Sequence, residues 1–340
     1  MSHPRPNRKR GNGVNMREIL LWDGLRQGRT QAAWRTCLSR SIALAHLIRE
    51  KDRPAVGAWG PYVLKSAFQP IFGFDGGKLS IEAFEGLIRP FREGEAVTPA
   101  TFFHAIQAGE RLHAETLTRT LHLLNAGMFL DPATMLFINF DPSVFGERAV
   151  AEAALRDMRL TLHESGIDAR RIVCEVTEQK STSGGALERF VDLLRDHGFR
   201  IAVDDYGAEE SDMERVAALR PDIVKFDAQW IARLMDTRPG FALLSVMVGE
   251  FASRGIRIVF EGIEEHWQLE CAEECGAHMV QGYILARPEI APTSFAVFAR
   301  SGVDAASGQE GGTSEPRVGE TSSGRRADAQ RRVFGRRPTA

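Results

Sequence analysis

Short apolar runs of the kind that form β-strands alternate with helical runs from about residue 62 onward. The strand-like runs occupy residues 66–72, 79–88, 135–140, 171–176, 200–205, 222–227, 256–262 and 278–284. Strands that alternate with helices predict a largely parallel sheet. Because eight strands occur over roughly 230 residues, we expect a closed α/β barrel rather than an open sheet.

Helical periodicity fills most of the gaps between these runs. Leu187, Phe190, Val191 and Leu194 repeat at i, i+3, i+4 and i+7, and His197-Gly198 predicts the end of that helix. Leu117, Leu121 and Leu124 mark one face of another helix, and Pro239-Gly240 divides the long helical stretch 228–252. No GxGxxG or GxxxxGK[ST] motif follows a strand-like run, which argues against the usual nucleotide-binding sheets.

The two ends of the 340-residue chain differ from its centre. We predict a disordered basic N-terminus over residues 1–15, a helical extension over 16–58 and the barrel over 59–298. A tail rich in Gly, Ser and Arg follows over 299–340, with too few large apolar residues to order itself. The extension either packs on the barrel or a partner, or serves in signalling or dimerisation. The tail is either a solvated segment or a weak attractant for nucleic acid or acidic lipid.

Charge and cysteine content narrow the class of protein. The chain has 43 basic and 45 acidic side chains and a formal net charge of −2, which argues neither for nor against a polyanionic partner. No specific nucleic-acid binding is expected. Its four cysteines form no disulfide or zinc pattern. No apolar run reaches the ~18 residues of a membrane helix, and the N-terminus lacks the apolar segment of a secretory signal. These features predict a soluble cytoplasmic protein without a membrane segment.

Polar side chains stand at or near the end of every predicted strand, where a purely structural strand would remain apolar. They are Gln69, Glu85, Asn139, Glu175, Asp204, Lys225 with Asp227, Glu261 and Gln281. In a parallel barrel the strand ends meet at one rim, which is where active sites are built. Unpaired buried charges cost several kcal/mol each, so this group of acids requires a compensating charge.

Divalent cations are the simplest source of that charge. Carboxylate and amide oxygens without a cluster of His or Cys favour Mg²⁺ or Mn²⁺ over zinc. Asp204 and Asp205 are adjacent where a strand passes into its loop, so their carboxylates can turn toward two ions. Two such ions about 3.5–4 Å apart are the usual device for hydrolysing a phosphodiester. Lys225 would add a positive charge near the attacking water or the phosphoryl oxygens.

The same segments resemble, in family order, the motifs of the EAL domain, the bacterial phosphodiesterase family that hydrolyses cyclic di-GMP. FQPIFGFDGGKLSIEAFEGLIRP (68–90) is similar to the family's "QPI … EALLR", with Gly86 where the family has alanine. FINFDP (137–142), CEVTE (174–178) and VDDYG (203–207) resemble "SINVSP", "LEITE" and "LDDFG". VKFD (224–227), FEGIEE (260–265) and VQGYILARP (280–288) resemble "LKID", "AEGVET" and "QGYLFSRP".

The resemblance implies a (β/α)8 barrel of the TIM type whose first strand is antiparallel, and it implies roles for single residues. Glu85, Asn139, Glu175 and Asp204 match the ligands of a first metal ion, and Asp204, Asp205 and Asp227 match the groups around a second. Lys225 matches the lysine that holds the hydrolytic water, with Glu261 and Gln281 beside it. Gln69 and Arg89 match residues that bind the dinucleotide. Glu178 and Glu264 resemble acids that hold the loop after the fifth strand.

One segment departs from the family pattern. The loop that reads "DDFGTGYSSL" in the family reads DDYGAEESDM here, with Ala208, Glu209 and Glu210 in place of threonine, glycine and tyrosine. The resemblance implies a homodimer that hydrolyses cyclic di-GMP to the linear dinucleotide with two Mg²⁺ or Mn²⁺ ions. The rewritten loop leaves open a catalytically inactive domain that acts as a cyclic di-GMP receptor or a protein-interaction scaffold.

Overall fold

An α/β barrel of eight strands forms the centre of the protein, as the sequence predicts. The computed structural model describes residues 44–75, 78–145, 147–177, 185–208, 216 and 218–295. The strands are β1 (Leu47–Ile48), β2 (Val56–Trp59), β3 (Tyr62–Asp75), β4 (Lys78–Arg92), β5 (Glu95–Ala96), β6 (Met135–Phe140), β7 (Ile172–Thr177), β8 (Arg200–Tyr206), β9 (Ile223–Phe226), β10 (Arg257–Phe260), β11 (Met279–Val280) and β12 (Glu289–Ile290).

Helices cover the outside of the barrel between these strands. They are α1 (Pro99–His104), α2 (Arg111–Phe129), α3 (Arg148–Ser165), α4 (Ala186–Asp196), α5 (Ala228–Met235), α6 (Arg238–Ser253) and α7 (His266–Cys275). The apolar face predicted from Leu187 to Leu194 is buried in α4, which ends before Gly198 with its positive φ of 86°. Pro239 stands in the first turn of α6 and separates it from α5, as predicted.

The barrel closes through one antiparallel strand. Strands β4, β6, β7, β8, β9, β10 and β11 pair in parallel in that order. Strand β3 is antiparallel to β4 on one side and to β11 on the other, and so completes the circle. This confirms the antiparallel first strand that the family resemblance implied.

Side chains inside the barrel form an apolar layer below its rim. Its members are Ile71, Ala83, Met135, Phe137, Val173, Ala202, Ile223, Val259 and Met279. The opposite faces of the strands pack against the helices in a larger apolar core, to which Phe68, Cys174, Val224 and Phe260 belong. Because side chains alternate along a strand, the inner and outer sets are offset by one residue.

A small antiparallel sheet rises above the rim on one side. Strands β1 and β2 pair with the N-terminal half of β3, and β5 pairs with the C-terminal end of β4. Helices α1 and α2 cover one face of this sheet with Phe102, Leu117 and Leu121, which pack on Leu64 and Ile88. The helical extension predicted over residues 16–58 is wrong at Leu47–Ile48 and at residues 56–58, because these residues form the paired strands β1 and β2.

Other predictions for the ends of the chain fall outside the described residues. These include the basic segment 1–15, the helical extension as far as residue 43 and the tail 299–340. Within the described ranges, no helix is long and apolar enough to cross a membrane.

Candidate active site

Eight polar side chains form a ring at the barrel mouth, one from each barrel strand. The polar ring consists of Gln69, Glu85, Asn139, Glu175, Asp204, Lys225, Glu261 and Gln281. Each member lies two residues from a member of the apolar interior layer, as Glu175 does from Val173. Since a two-residue step returns to the same face of a strand, all eight positions face the barrel axis. The structure therefore brings together the strand-end residues that the sequence singled out.

Lys225 stands at the centre of the polar ring's charges. Its side chain is only 2% exposed, and its Nζ lies 2.6 Å from Glu175 Oε1 and 2.7 Å from Glu261 Oε1. Asp204 Oδ1 lies 3.0 Å from the same nitrogen, and Glu85 Oε1 lies 3.9 Å away. One buried ammonium thus faces four carboxylates.

The pKa values of these groups show that the carboxylates of the ring outnumber the positive charge available to them. Burial raises the pKa of Glu175 well above its usual value, and Lys225 opposes that rise while Glu85 and Asp204 add to it. Burial likewise raises the pKa of Glu261 to about 8, with Lys225 again opposing. Burial by itself would lower the pKa of Lys225, but Asp204, Glu175 and Glu261 raise it well above its usual value. The ring contains more negative charge than one lysine neutralises.

A break in the strand pattern places Asp204 and Asp205 on the same side. Neighbouring residues of a regular strand point to opposite faces, which would separate these two carboxylates. Here the register between β8 and β9 shifts between Val203 and Tyr206, and Asp205 has a left-handed φ of 57°. This bulge allows carboxylate oxygens of Asp204, Asp205 and Glu261 to lie within 4.8 Å of one another.

The residues that follow the bulge support its geometry. Gly207 has a φ of 97°, and a Cβ on it would collide with the indole ring of Trp230. Trp230 lies in the first turn of α5, where its backbone N–H donates to Asp227 Oδ1 at 2.8 Å. Asp227 is therefore the N-cap of α5, and one of its two carboxylate oxygens is engaged in that role.

The amides of the ring are placed in three different ways. Gln281 Nε2 donates to Glu85 Oε2 at 2.8 Å, which orients that carboxylate. Gln69 Nε2 donates to the backbone oxygen of Ala286 at 3.3 Å. Asn139 is exposed and pairs in register with Glu175 on the neighbouring strand. Arg89 lies above the ring on β4, where its Nη1 donates to the backbone oxygen of Ile88 at 3.1 Å.

The oxygen atoms of the ring fit a hard divalent cation. Glu175 Oε2 is buried and has no hydrogen-bond partner among the described residues, whereas the buried Asp204 Oδ1 shares the Lys225 ammonium with two other carboxylates. Buried carboxylate oxygens without partners are costly, and a cation would satisfy them. Carboxylates and an amide are the ligands that Mg²⁺, Mn²⁺ and Ca²⁺ prefer. The donor set, the repulsion among the acids and the unpaired oxygen of Glu175 all agree with metal binding at this ring.

Two predicted residues stand apart from the ring. Glu264 is exposed after β10, and its backbone N–H donates to Gln268 Oε1 at 2.8 Å. Glu178 lies outside the described residues, as do Glu209 and Glu210 of the loop that Glu178 and Glu264 were expected to hold. Their role in holding that loop stays a prediction.

Helix α2 contributes buried polar residues that the sequence analysis did not single out. Arg119 forms an ion pair of 3.3 Å with Glu115 and lies over the ring of Phe140, while His122 Nδ1 lies 3.0 Å from Ser66 Oγ. They line a cavity of about 390 Å³ that also reaches Asn139. The only signal for them in the sequence was the polar residues that stand between Leu117, Leu121 and Leu124.

Comparison with known proteins identifies relatives of this barrel. The EAL-domain containing protein YkuI of Bacillus subtilis is 27% identical over 230 residues, which are 65% of this chain and 54% of YkuI. The cyclic di-GMP phosphodiesterase RocR of Pseudomonas aeruginosa is 31% identical over 155 residues, or 45% of this chain and 38% of RocR. The chain thus spans about half or less of the length of these curated relatives.

Solved structures share the fold. The structure of YkuI in complex with cyclic di-GMP and calcium superposes with a TM-score of 0.58 at 25% identity, covering 66% of this chain and 56% of YkuI. The Klebsiella pneumoniae protein BlrP1, solved with manganese and cyclic di-GMP, has a TM-score of 0.58 at 22% identity over 81% of this chain and 66% of BlrP1. A model of the EAL domain matches residues 63–288, about two thirds of the chain, and the protein therefore belongs to the EAL-domain family.

Proposed function

We propose that this protein hydrolyses cyclic di-GMP to the linear dinucleotide by attack of water on one phosphodiester bond. The observation that carries the proposal is the polar ring, in which four carboxylates surround one buried lysine at the barrel mouth. Membership of the EAL family and the complexes of YkuI and BlrP1 with cyclic di-GMP support this choice of substrate.

Two Mg²⁺ or Mn²⁺ ions are part of the proposal. Glu85, Asn139, Glu175 and Asp204 would hold one ion, and Asp204, Asp205 and Asp227 would hold the other. Such ions neutralise phosphoryl charge and lower the pKa of water. Asp227 would use the carboxylate oxygen that does not cap α5, because its Oδ1 already accepts from Trp230.

The protein's own groups would position the reactants. Three carboxylates lie within 3.0 Å of Lys225 Nζ and can accept all three of its N–H groups, so the ammonium would donate to the attacking water or to a phosphoryl oxygen in place of one of them. Glu261, whose pKa is raised to about 8, can exchange a proton near neutral pH. Gln69, Gln281 and Arg89 would bind the dinucleotide around this centre.

The direct test incubates the purified chain with Mg²⁺ or Mn²⁺ and cyclic di-GMP and separates the linear product by chromatography. We expect turnover by the wild type and none by Glu85→Ala or Lys225→Ala. Absence of turnover at micromolar enzyme, with cyclic di-GMP still bound in Ca²⁺, would refute the hydrolase.

The substituted loop supports a second candidate, an inactive domain that serves as a cyclic di-GMP receptor or a protein-interaction scaffold. Glu209 and Glu210 replace residues that are glycine and tyrosine in the family pattern, close in sequence to Asp204 and Asp205. Added acids raise the local negative potential and can attract a cation away from the position that catalysis needs. If the double variant Glu209→Gly with Glu210→Tyr gains activity severalfold, the loop restrains catalysis.

A homodimer and a cytoplasmic location complete the proposal. Helix α6 has no charged side chain between Arg238 and Glu250, and it exposes 50% of Leu243 and 69% of Val246. A second copy of the chain would cover this apolar surface. Cys174, Cys271 and Cys275 are free thiols, as expected in a reducing compartment.

A further inference from the structure

The small antiparallel sheet above the rim has one covered face and one open face. Leu64 and Ile88 lie on the face that α1 and α2 cover. Val63 is directly opposite Ala58 on one neighbouring strand and Phe91 on the other, so these three residues lie on the reverse face. The strand registers assign a larger set to this open face, which consists of Ile48, Val56, Ala58, Val63, Lys65, Arg89, Phe91, Ala96 and Ile290.

The open face is largely apolar and accessible. Ile48, Val63 and Ile290 are 49%, 42% and 40% exposed. None of these three side chains packs in an apolar cluster of the described residues. A groove of about 310 Å³ also lies on this face, with Ile48, Val56 and Ile290 among the residues that line it. A contiguous exposed apolar patch of this kind marks a surface on which another segment or molecule packs.

The chain enters the sheet beside this face, from residues 1–43, which lie outside the described ranges. Leu44 and Ala45 are helical, and Ile48 of the open face follows three residues later. The opposite side of β1 is already occupied, because Leu47 packs there with the cluster that contains Leu117. A helix that ends at Ala45 therefore finds free apolar surface on the open face.

The residues before Leu44 supply an apolar stripe of matching size. Trp34, Leu38 and Ile42 repeat at i, i+4 and i+8, which places them on one side of a helix. Arg29 and Arg40 fall on the opposite side, where they can remain in water. At 1.5 Å per residue the stripe is about 12 Å long, and four strands about 4.8 Å apart make the open face about 14 Å wide.

An aromatic residue in the stripe suits the two cations of the open face. Lys65 is directly opposite Arg89, and its Nζ already lies 4.7 Å from the centre of the Phe91 ring. The indole ring is the aromatic group that attracts such cations most strongly, and Trp34 would supply one. The stripe itself contains no charged side chain that would repel them.

We propose that residues 34–43 form a helix that packs on the open face of its own chain, with Trp34, Leu38 and Ile42 against Val63 and its neighbours. Only two residues separate Ala45 from Ile48, so the contact is intramolecular and has a high effective concentration. The docked helix covers the apolar patch that the described residues leave open. This contact is independent of the proposed hydrolase activity.

Limited digestion of the full chain with trypsin tests the contact, because Arg35 and Arg40 are cleavage sites within the proposed helix. A protease cuts a folded segment when it opens, so the cleavage rate follows the opening equilibrium. Val63→Glu should raise the rate of cleavage after Arg40 about tenfold, and Trp34→Ala should raise it by a similar factor. Because both substitutions remove the same contact, the double variant should be cut no faster than either single variant. Mass spectrometry of the fragments over time gives these rates.

Met128→Glu is the matched control, because Met128 is 49% exposed on α2, which lies on the other side of the sheet. Its cleavage rate should equal that of the wild type. Equal rates for wild type and Val63→Glu would overturn the inference and leave the open face to another partner. Multiplied effects in the double variant would overturn it as well. A wild-type rate that falls as the protein concentration rises would show that a second copy covers the face instead of the chain's own segment.

Discussion

Lys225 Nζ lies 2.6 Å from Glu175 Oε1, and the two side chains are 2% and 0% exposed. The lysine is shared with Asp204 and Glu261, so Glu175 receives only part of its charge. The second oxygen of Glu175 has no hydrogen-bond partner among the described residues. Without a bound cation, the uncompensated negative charge of the ring therefore lowers the stability of the fold, and a bound cation would restore it.

Replacing Glu175 by glutamine should separate stability from metal binding. In a chelator, Glu175→Gln should raise the free energy of unfolding by about 1 kcal/mol, because it removes a buried carboxylate whose pKa is already raised. The same variant should lose most of the rise in Tm that Mn²⁺ gives the wild type. Thermal unfolding with and without Mn²⁺ measures both effects. Glu250→Gln, on the exposed side of α6, should change neither, and a lower Tm of Glu175→Gln in chelator would contradict the prediction.

His122 should make the protein sensitive to acid. Burial lowers its pKa to about 3 in the folded state, with Arg89 and Arg119 contributing, against 6.5 for the ordinary value. The unfolded chain therefore binds a proton below pH 6.5 that the folded chain accepts only near pH 3, so stability falls as the pH falls between these values. The loss should be about 3 kcal/mol from pH 7 to pH 4.

Urea unfolding at several pH values checks this dependence. His122→Gln should have a shallower loss of stability over the same range, since glutamine does not titrate. His104→Gln is the control, because His104 is exposed at the end of α1 and its replacement should leave the slope unchanged. Parallel curves for wild type and His122→Gln would show that other groups cause the acid sensitivity.

Substitutions of Gly86 and His122 should have non-additive effects on the free energy of unfolding. A Cβ on Gly86 would lie 3.1 Å from His122 Cγ, and the imidazole Nδ1 is held 3.0 Å from Ser66 Oγ. Gly86→Ala, which restores the family's Glu-Ala-Leu, should therefore destabilise the fold by about 1 kcal/mol through overpacking. In a His122→Ala background the same change should cost little, and a double-mutant cycle by urea unfolding measures the difference. Equal costs in both backgrounds would exclude the contact as the cause.

The apolar face of α6 should control assembly. Val246→Glu places a charge at a position that is 69% exposed in one copy of the chain and that the proposed second copy would cover. We expect the variant to elute as a monomer in light-scattering chromatography at a concentration where the wild type is a dimer. Leu160→Glu is the control on α3, since Leu160 is 52% exposed. If Val246→Glu and wild type have the same mass, α6 is not the interface.

The barrel and its polar ring could be predicted from the sequence because each depends on the alternation of inward and outward side chains along single strands. Val173 and Glu175, or Val259 and Glu261, are pairs in which an apolar inward residue is followed two positions later by a charged one. That spacing places both on the axial face of any strand in a closed barrel. The strand-end acids were consequently recognised without coordinates.

Other parts of the site depend on contacts between distant segments, which local periodicity does not encode. The bulge that turns Asp204 and Asp205 to one side arises from the pairing of β8 with β9. Strand β1 replaces the predicted helix because β2 offers it a partner. Lys65 and Arg89 became neighbours only through the register of a long antiparallel hairpin. The sequence alone specified which side chains point to the barrel axis, whereas the pairing of remote strands decided which of them meet.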